Sequence, residues 1–366
     1  MFQTTGRDSL GWNPWHEDHW RAFESEERGR IPSPFPARVV GEERGLLRLQ
    51  TGRDEEFWGE LTGRLRREAA LYPAVGDWVV CSRAPNQPRA AIHRLLPRAS
   101  CLARVGAGTS GQIQILAANV DVAFIVTSLN GDLNPRRIER YLATVRDGGA
   151  RPVILLTKLD LCPDPGGAIR DVESVAASAR VLAVSALTGD GMEALETDLP
   201  PGATAVLLGS SGAGKSTLVN RLIGEERIAT RPIRESDDRG RHATTSRRLW
   251  ALPSGALLID TPGLRELQLL VDEESLGATF DDVRALSARC RFTDCRHGTE
   301  PGGAIRIAIE DGELPEERVA AYDKLRREVA FQERKIDKAK FKEERERWKK
   351  IGKQGQAHMR RKRWEA

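Results

Sequence analysis

No apolar run in this sequence approaches the ~20 residues that a membrane-crossing helix needs. The longer apolar stretches, such as Val120–Val126 (with Asp121 inside it) and Val153–Leu156, are only the length of β-strands. The N-terminus lacks the apolar core of an export signal and carries acidic residues and Trp12, Trp15 and Trp20 instead. Cysteine is scarce, five in 366 residues, too few and too scattered for a disulfide framework. Cys81, Cys101 and Cys162 stand alone, whereas Cys290 and Cys295 are close enough together to read as metal ligands in a reducing compartment. These absences predict a cytoplasmic protein with no membrane association. No internal repeat is evident, and the length suits two or three domains.

The formal net charge is only +4, but it is unevenly spread. Arg334 to Arg363 holds 14 Lys/Arg against 4 Asp/Glu, a local +10 that leaves −6 for the remainder. A basic tail on a mildly acidic body points to a polyanionic partner, of which nucleic acid is the commonest. The interleaved Asp337, Glu343, Glu344 and Glu346 also suit a solvated helix.

Composition and periodicity divide the chain into four segments and predict a multidomain architecture. Residues 1–34 form an extension ending in a proline cluster, Ile31-Pro32-Ser33-Pro34-Phe35-Pro36. Its His16 and His19 share helical spacing and read as solvent-facing rather than as a metal pair. Residues 35–105 show short β-type runs at Ala37–Val40, Leu46–Gln50, Thr62–Leu65 and Asp77–Cys81, the pattern of a small all-β, OB-like barrel. Arg64, Arg66 and Arg67 would give one strand a cationic side suited to RNA. Residues 106–270 alternate strands and helices as a parallel α/β sheet does. The strands are Val122–Ser128, Val153–Leu156, Val181–Val184, Ala205–Leu208 and Ala256–Ile259, and Asn134-Pro135 starts a helix that ends at Gly148-Gly149. Residues 271–366 read as mainly helical, and Glu316–Lys350, free of glycine and proline, predicts one or two long helices.

The strongest chemical signal is Gly209-Ser210-Ser211-Gly212-Ala213-Gly214-Lys215-Ser216, followed by Thr217. It is a full match to the phosphate-binding P-loop, set between an apolar strand and a helical run as that motif requires. Its glycines let backbone N–H groups wrap phosphates at a helix N-terminus; Lys215 would neutralise the β/γ-phosphates and Ser216 would ligate Mg²⁺. A P-loop does not choose the base. Thr157-Lys158-Leu159-Asp160 does, because a carboxylate at a strand end can accept from both N1–H and the N2 amino group of guanine, which adenine cannot offer. Lys158 would stack along the base. Thr157 stands where the usual pattern has asparagine, and a hydroxyl replaces only part of the amide's bonding to the phosphate loop. Ser185-Ala186-Leu187, after another strand, resembles the loop that supports the guanine O6.

Asp260-Thr261-Pro262-Gly263 completes the set: Asp260 would hold Mg²⁺ through water, and the Gly263 amide would sense the γ-phosphate. Leu264 follows where many GTPases carry a water-orienting glutamine, so intrinsic hydrolysis should be slow. Gly240-Arg241-His242-Ala243-Thr244-Thr245 lies where a switch belongs, with Thr244 or Thr245 as a Mg²⁺ ligand and His242 as the candidate for positioning water.

The guanine-reading motifs precede the P-loop, whereas in ordinary GTPases they come last. This order is a circular permutation, and it feeds the second switch directly into the C-terminal segment. The permuted order, Gly-Arg-His-x-Thr-Thr, Pro73-Ala74-Val75-Gly76-Asp77-Trp78 and a trailing Cys/His cluster together resemble the RsgA (YjeQ) family over roughly Ala37 to Lys350. The resemblance implies an OB barrel, a permuted GTPase domain and a zinc-binding C-terminal domain in a monomer. It also implies late maturation of the small (30S) ribosomal subunit, contact with its 16S rRNA, and GTP hydrolysis to GDP stimulated by that subunit. Mg²⁺ with GTP and one structural Zn²⁺ are the implied cofactors. Cys290, Cys295 and His297 match three zinc ligands of the family; Gly303 stands where it has the fourth, a cysteine. Two other readings fit the motifs: a permuted GTPase acting on another target, and an RNA-binding switch with negligible turnover.

Overall fold

Asn13 accepts a hydrogen bond from the His16 amide at 3.2 Å and Pro14 takes the first helical position, so the extension folds as helix α1, Pro14–Glu26. The computed structural model describes residues 6–27, 29–43, 45–52, 55–68, 72–105, 113–130, 133–176, 178–225, 247–260, 273–291, 295 and 303–335. No helix among them is long and apolar enough to cross a membrane. The inner face of α1 carries Trp20 and Phe23, which join Leu10 and Trp12 against Trp78, Val80 and Leu96.

His16 is not solvent-facing. It lies on that inner face, 2% exposed, with Nε2 3.4 Å from Asn119 Oδ1. Burial, reinforced by the Arg38 cation, pushes its pKa down to about 3, so the imidazole is neutral. The folded value lies below the ordinary 6.5, so the unfolded chain binds a proton that the folded one refuses. Stability therefore falls as pH drops from 6.5 towards 3, by about 1.4 kcal/mol per unit. The stability difference between the parent and His16→Gln is expected to shrink by about 2 kcal/mol between pH 7 and pH 5 in denaturant titrations. A difference independent of pH would mean that His16 titrates normally.

The barrel comprises β1 (Phe35–Glu43), β2 (Leu46–Gly52), β3 (Glu55–Leu61), helix α2 (Gly63–Glu68), β4 (Trp78–Ser82) and β5 (Arg89–Leu95). Strands β1, β2 and β3 are antiparallel, β3 runs parallel to β5, and β5–β4–β1 closes the circle. Ala37, Val39, Leu49, Phe57, Val79 and Ile92 fill it. The expected strand Thr62–Leu65 is instead the start of α2, because the Thr62 hydroxyl accepts from the Leu65 amide at 3.3 Å and caps a helix. Arg64, Arg66 and Arg67 are thus exposed on a helix rather than along a strand.

A two-stranded ribbon, β6 (Cys101–Val105) and β7 (Ile113–Ala118), leads into the α/β sheet. There follow β8 (Val122–Ser128), α3 (Pro135–Asp147), β9 (Arg151–Thr157), α4 (Pro165–Glu173), β10 (Arg180–Ala183), α5 (Met192–Thr197), β11 (Thr204–Gly209), α6 (Lys215–Ile223), β12 (Arg248–Ala251) and β13 (Leu257–Asp260). The order is β10-β9-β8-β11-β13-β12, parallel except for β12. Asn134 caps α3 by accepting from the Arg137 amide at 3.1 Å, and Pro135 begins it, as the sequence requires. Strand β12 had no sequence signal. It also pairs with barrel strand β1 at Gly41↔Arg248, so one sheet runs from barrel to nucleotide domain.

Buried polar groups lock this junction. Arg98 donates to both oxygens of Asp77 at 2.6 Å, with both side chains almost wholly buried. Asp77 also accepts from the Ala74 amide at 2.7 Å. Arg38, on β1, donates to Thr204 Oγ1 at 2.9 Å and to the carbonyls of Gly76, Asn119 and Leu10, joining extension, barrel and α/β sheet. Gly76 (φ +97°) is required here, since a Cβ would collide with the Ala118 carbonyl.

Helices α7 (Glu273–Thr279), α8 (Asp281–Ser287), α9 (Ala304–Glu310) and α10 (Glu316–Lys335) form a C-terminal unit around Leu276, Phe280, Ile305 and Leu325. Arg318 of α10 bonds Glu139 of α3 at 2.5 Å and Asp282 at 2.9 Å, tying this unit to the sheet domain. Residues 336–366, most of the basic tail, lie outside the described residues.

Candidate nucleotide site

The phosphate loop is built between the end of β11 and the start of α6. Gly209 (φ +147°) passes so close to β8 that any Cβ would collide with the Val126 carbonyl. Gly212 and Gly214 take left-handed backbone (φ +79° and +87°), which turns the chain sharply into the helix. The first amides of α6, from Lys215, Ser216 and Thr217, have no helical carbonyl partner and present positive dipole ends towards an anion. Ser210, Ser211 and Ala213 complete the turn. The Lys215 ammonium curls over it, donating to the Gly209 carbonyl at 2.7 Å and to the Ser210 carbonyl.

Asp260 ends β13, next to β11 in the sheet. Burial raises its pKa, and the nearby Lys215 cation partly offsets that shift. A desolvated carboxylate beside the phosphate loop is suited to a divalent cation.

The guanine-reading loop is stitched to the phosphate loop directly. Thr157, buried at the end of β9, donates its hydroxyl to the Ala213 carbonyl at 2.6 Å. One bond thus spans the two motifs, a single link where an asparagine amide offers more. Lys158 adopts left-handed backbone (φ +60°) and donates to Asn130 Oδ1 at 3.3 Å. Asn130, just after β8, is a contact that motif reading missed. Leu159 donates its amide to the Val184 carbonyl at 3.2 Å, drawing the loop against the Ser185-Ala186 segment. Ser185, fully buried, donates its hydroxyl to Asp160 Oδ1 at 2.6 Å and accepts from the Thr188 amide at 3.1 Å. That bond holds Oδ1 in place. Among the described residues nothing bonds Asp160 Oδ2, which leaves it open to a base edge.

His242, Thr244, Thr245, Gly263, Leu264 and His297 lie outside the described residues. Cys290 and Cys295 are half-buried and in no disulfide, beyond the end of α8, and no group of three metal-ligating side chains occurs among the described residues.

The comparisons with known proteins agree with these motifs. The model of the RsgA GTPase family matches residues 95–270. A protein of Opitutus terrae named small ribosomal subunit biogenesis GTPase RsgA is 47% identical over 355 residues, covering 94% of this chain and 95% of its own length. The protein of that name from Syntrophotalea carbinolica is 44% identical over 331 residues, covering 88% and 89%. The crystal structure of YjeQ from Thermotoga maritima aligns with a TM-score of 0.61 at 25% identity, over 81% of this chain and 99% of its own. That of YloQ, described as a circularly permuted GTPase, aligns with a TM-score of 0.57 at 24% identity, over 83% and 98%.

Proposed function

The chain belongs to the RsgA family of GTPases, and on that premise we propose that it assists late maturation of the small (30S) ribosomal subunit, with slow GTP hydrolysis that the subunit stimulates. The observation that carries the nucleotide half of this reading is the Thr157–Ala213 bond, which joins the loop of Asp160 to the loop of Lys215.

In this mechanism Asp160 selects guanine, Lys158 lies along the base, and Ser185 and Ala186 support it from the other side. The amides of Gly212 to Thr217 and the Lys215 ammonium hold the phosphates and stabilise charge as the γ-phosphate departs. Ser216 and Asp260 would hold Mg²⁺, which supplies further neutralisation of the phosphate oxygens. Thr244 or Thr245 and the Gly263 amide report the γ-phosphate. His242 positions the attacking water once the subunit orders the switch, a role that Leu264 cannot fill. Loss of the γ-phosphate then releases the protein.

The barrel and the basic tail supply the contacts to 16S rRNA. Cys290, Cys295 and His297 would hold a structural Zn²⁺, for which two cysteines outside any disulfide supply suitable thiolate donors. Gly303 contributes no ligand, so another donor or water completes the shell. Freshly purified protein is expected to carry about one zinc per chain; protein without zinc would remove this part of the reading. GTP turnover is expected to rise sharply when purified small subunits are added. Turnover that ignores subunits would assign the protein to another target, and no turnover under either condition would leave a switch without catalysis.

A further inference from the structure

On the barrel, cations and carboxylates are paired almost throughout. Arg48 lies 2.7 Å from Glu56 and 2.9 Å from Glu43, Arg89 3.3 Å from Glu60, Arg94 3.1 Å from Glu26 and Arg83 3.9 Å from Glu55. Two arginines of helix α2 break this pattern. Arg66 and Arg67 are exposed and, among the described residues, meet no carboxylate. Arg64 is exposed beside them on the same short helix, and the one acid of the helix is Glu68. Leu65 between them packs on the barrel core and fixes the helix in place.

Tyr72 follows four residues after the helix, within about 14 Å along the chain. It is 57% exposed, unusual for a large aromatic side chain. Its carbonyl accepts from Arg98 Nη2 at 3.2 Å, and Arg98 is itself held by the buried Asp77. The ring's backbone is therefore anchored to an almost wholly buried ion pair while the ring faces solvent.

We propose that α2 is the barrel's RNA-docking surface, with Arg66 and Arg67 gripping backbone phosphates and Tyr72 offering a face for an unstacked base. This deepens the functional reading above and rests on it, since RNA is the polyanion that the small subunit presents. The chemistry follows from what is left unused. A guanidinium already paired to glutamate gains little from a phosphate. An unpaired one offers its full fork of donors and releases condensed counterions on binding. The paired arginines of the β-strands are poorer candidates, because each must first give up its glutamate.

The test is the affinity of the full chain, with a non-hydrolysable GTP analogue, for purified small ribosomal subunits over a range of salt. Arg66→Ala/Arg67→Ala is expected to weaken binding about tenfold or more and to flatten the plot of log affinity against log salt by about one to two units. Its thermal midpoint should match the parent's, because both side chains are exposed. Tyr72→Ala should weaken binding without changing the slope. Arg89→Ala alters net charge as much as Arg66→Ala does, yet should bind like the parent because Arg89 is already paired. Parent-like affinity and slope in the double variant, or equal loss in Arg89→Ala, would overturn the assignment to α2 while leaving subunit binding intact. Failure of the parent itself to bind subunits would overturn both readings.

Discussion

Exchanging Asp160 for asparagine is expected to weaken GTP binding by a factor on the order of 10²–10⁴ and to create affinity for xanthosine triphosphate. The carboxylate has only acceptors, and guanine offers two donors on the edge it faces, N1–H and the N2 amino group. Ser185 Oγ donates to Oδ1 at 2.6 Å, so in the asparagine variant the amide oxygen stays at that position and the amino group takes the place of Oδ2. A donor then faces the N2 amino donor of guanine, and neither can be satisfied. Xanthine carries a carbonyl at that position, which the asparagine amino group matches. The phosphate loop is untouched, so the gain for xanthosine triphosphate should mirror the loss for GTP. Titration calorimetry with both nucleotides measures this directly. A variant that keeps its preference for GTP would mean that Asp160 does not face the base.

The second large effect falls on stability. Asp77→Ala should cost about 3–5 kcal/mol, because it strands the buried Arg98 guanidinium without its carboxylate and leaves the Ala74 amide unbonded. Desolvation is the cause: the pair was assembled away from water, and the remaining cation cannot return to it without opening the junction between barrel and sheet. Removing both charges with Asp77→Ala/Arg98→Met should cost less than the sum of the single changes, by about 2 kcal/mol or more. Chemical denaturation of the three variants gives the coupling. Strict additivity would show that water reaches Arg98 in the folded protein. The same junction carries the Tyr72 carbonyl and the β1–β12 pairing, so the single variant should also weaken docking on the subunit.

Much of the nucleotide site was legible because its determinants are local. The apolar runs at Val122–Ser128, Val153–Leu156, Ala205–Leu208 and Ala256–Ile259 became β8, β9, β11 and β13, and the glycines at 209, 212 and 214 have the backbone their motif demands. What escaped depended on distant partners. Strand β12 is four residues long and begins with arginine; only pairing with β13 on one side and barrel strand β1 on the other makes it a strand. Thr62–Leu65 reads as β-type by residue preference, but one hydroxyl-to-amide bond caps a helix there. His16 shares the inner face of α1 with Trp20 and Phe23, at spacings of four and three residues. That periodicity was present in the sequence, and only the polarity of histidine argued against burial. The Thr157–Ala213 bond is the most consequential of these, since residues 56 apart in sequence make one site.

Nothing in the site holds together unless Lys215 and Asp160 grip the two ends of one guanine nucleotide. Competitive titration of GTP, GDP and ATP into the purified protein with Mg²⁺ decides it most directly. GTP and GDP should bind at least 10²-fold more tightly than ATP. Equal affinity for ATP, or a preference for it, would contradict that arrangement.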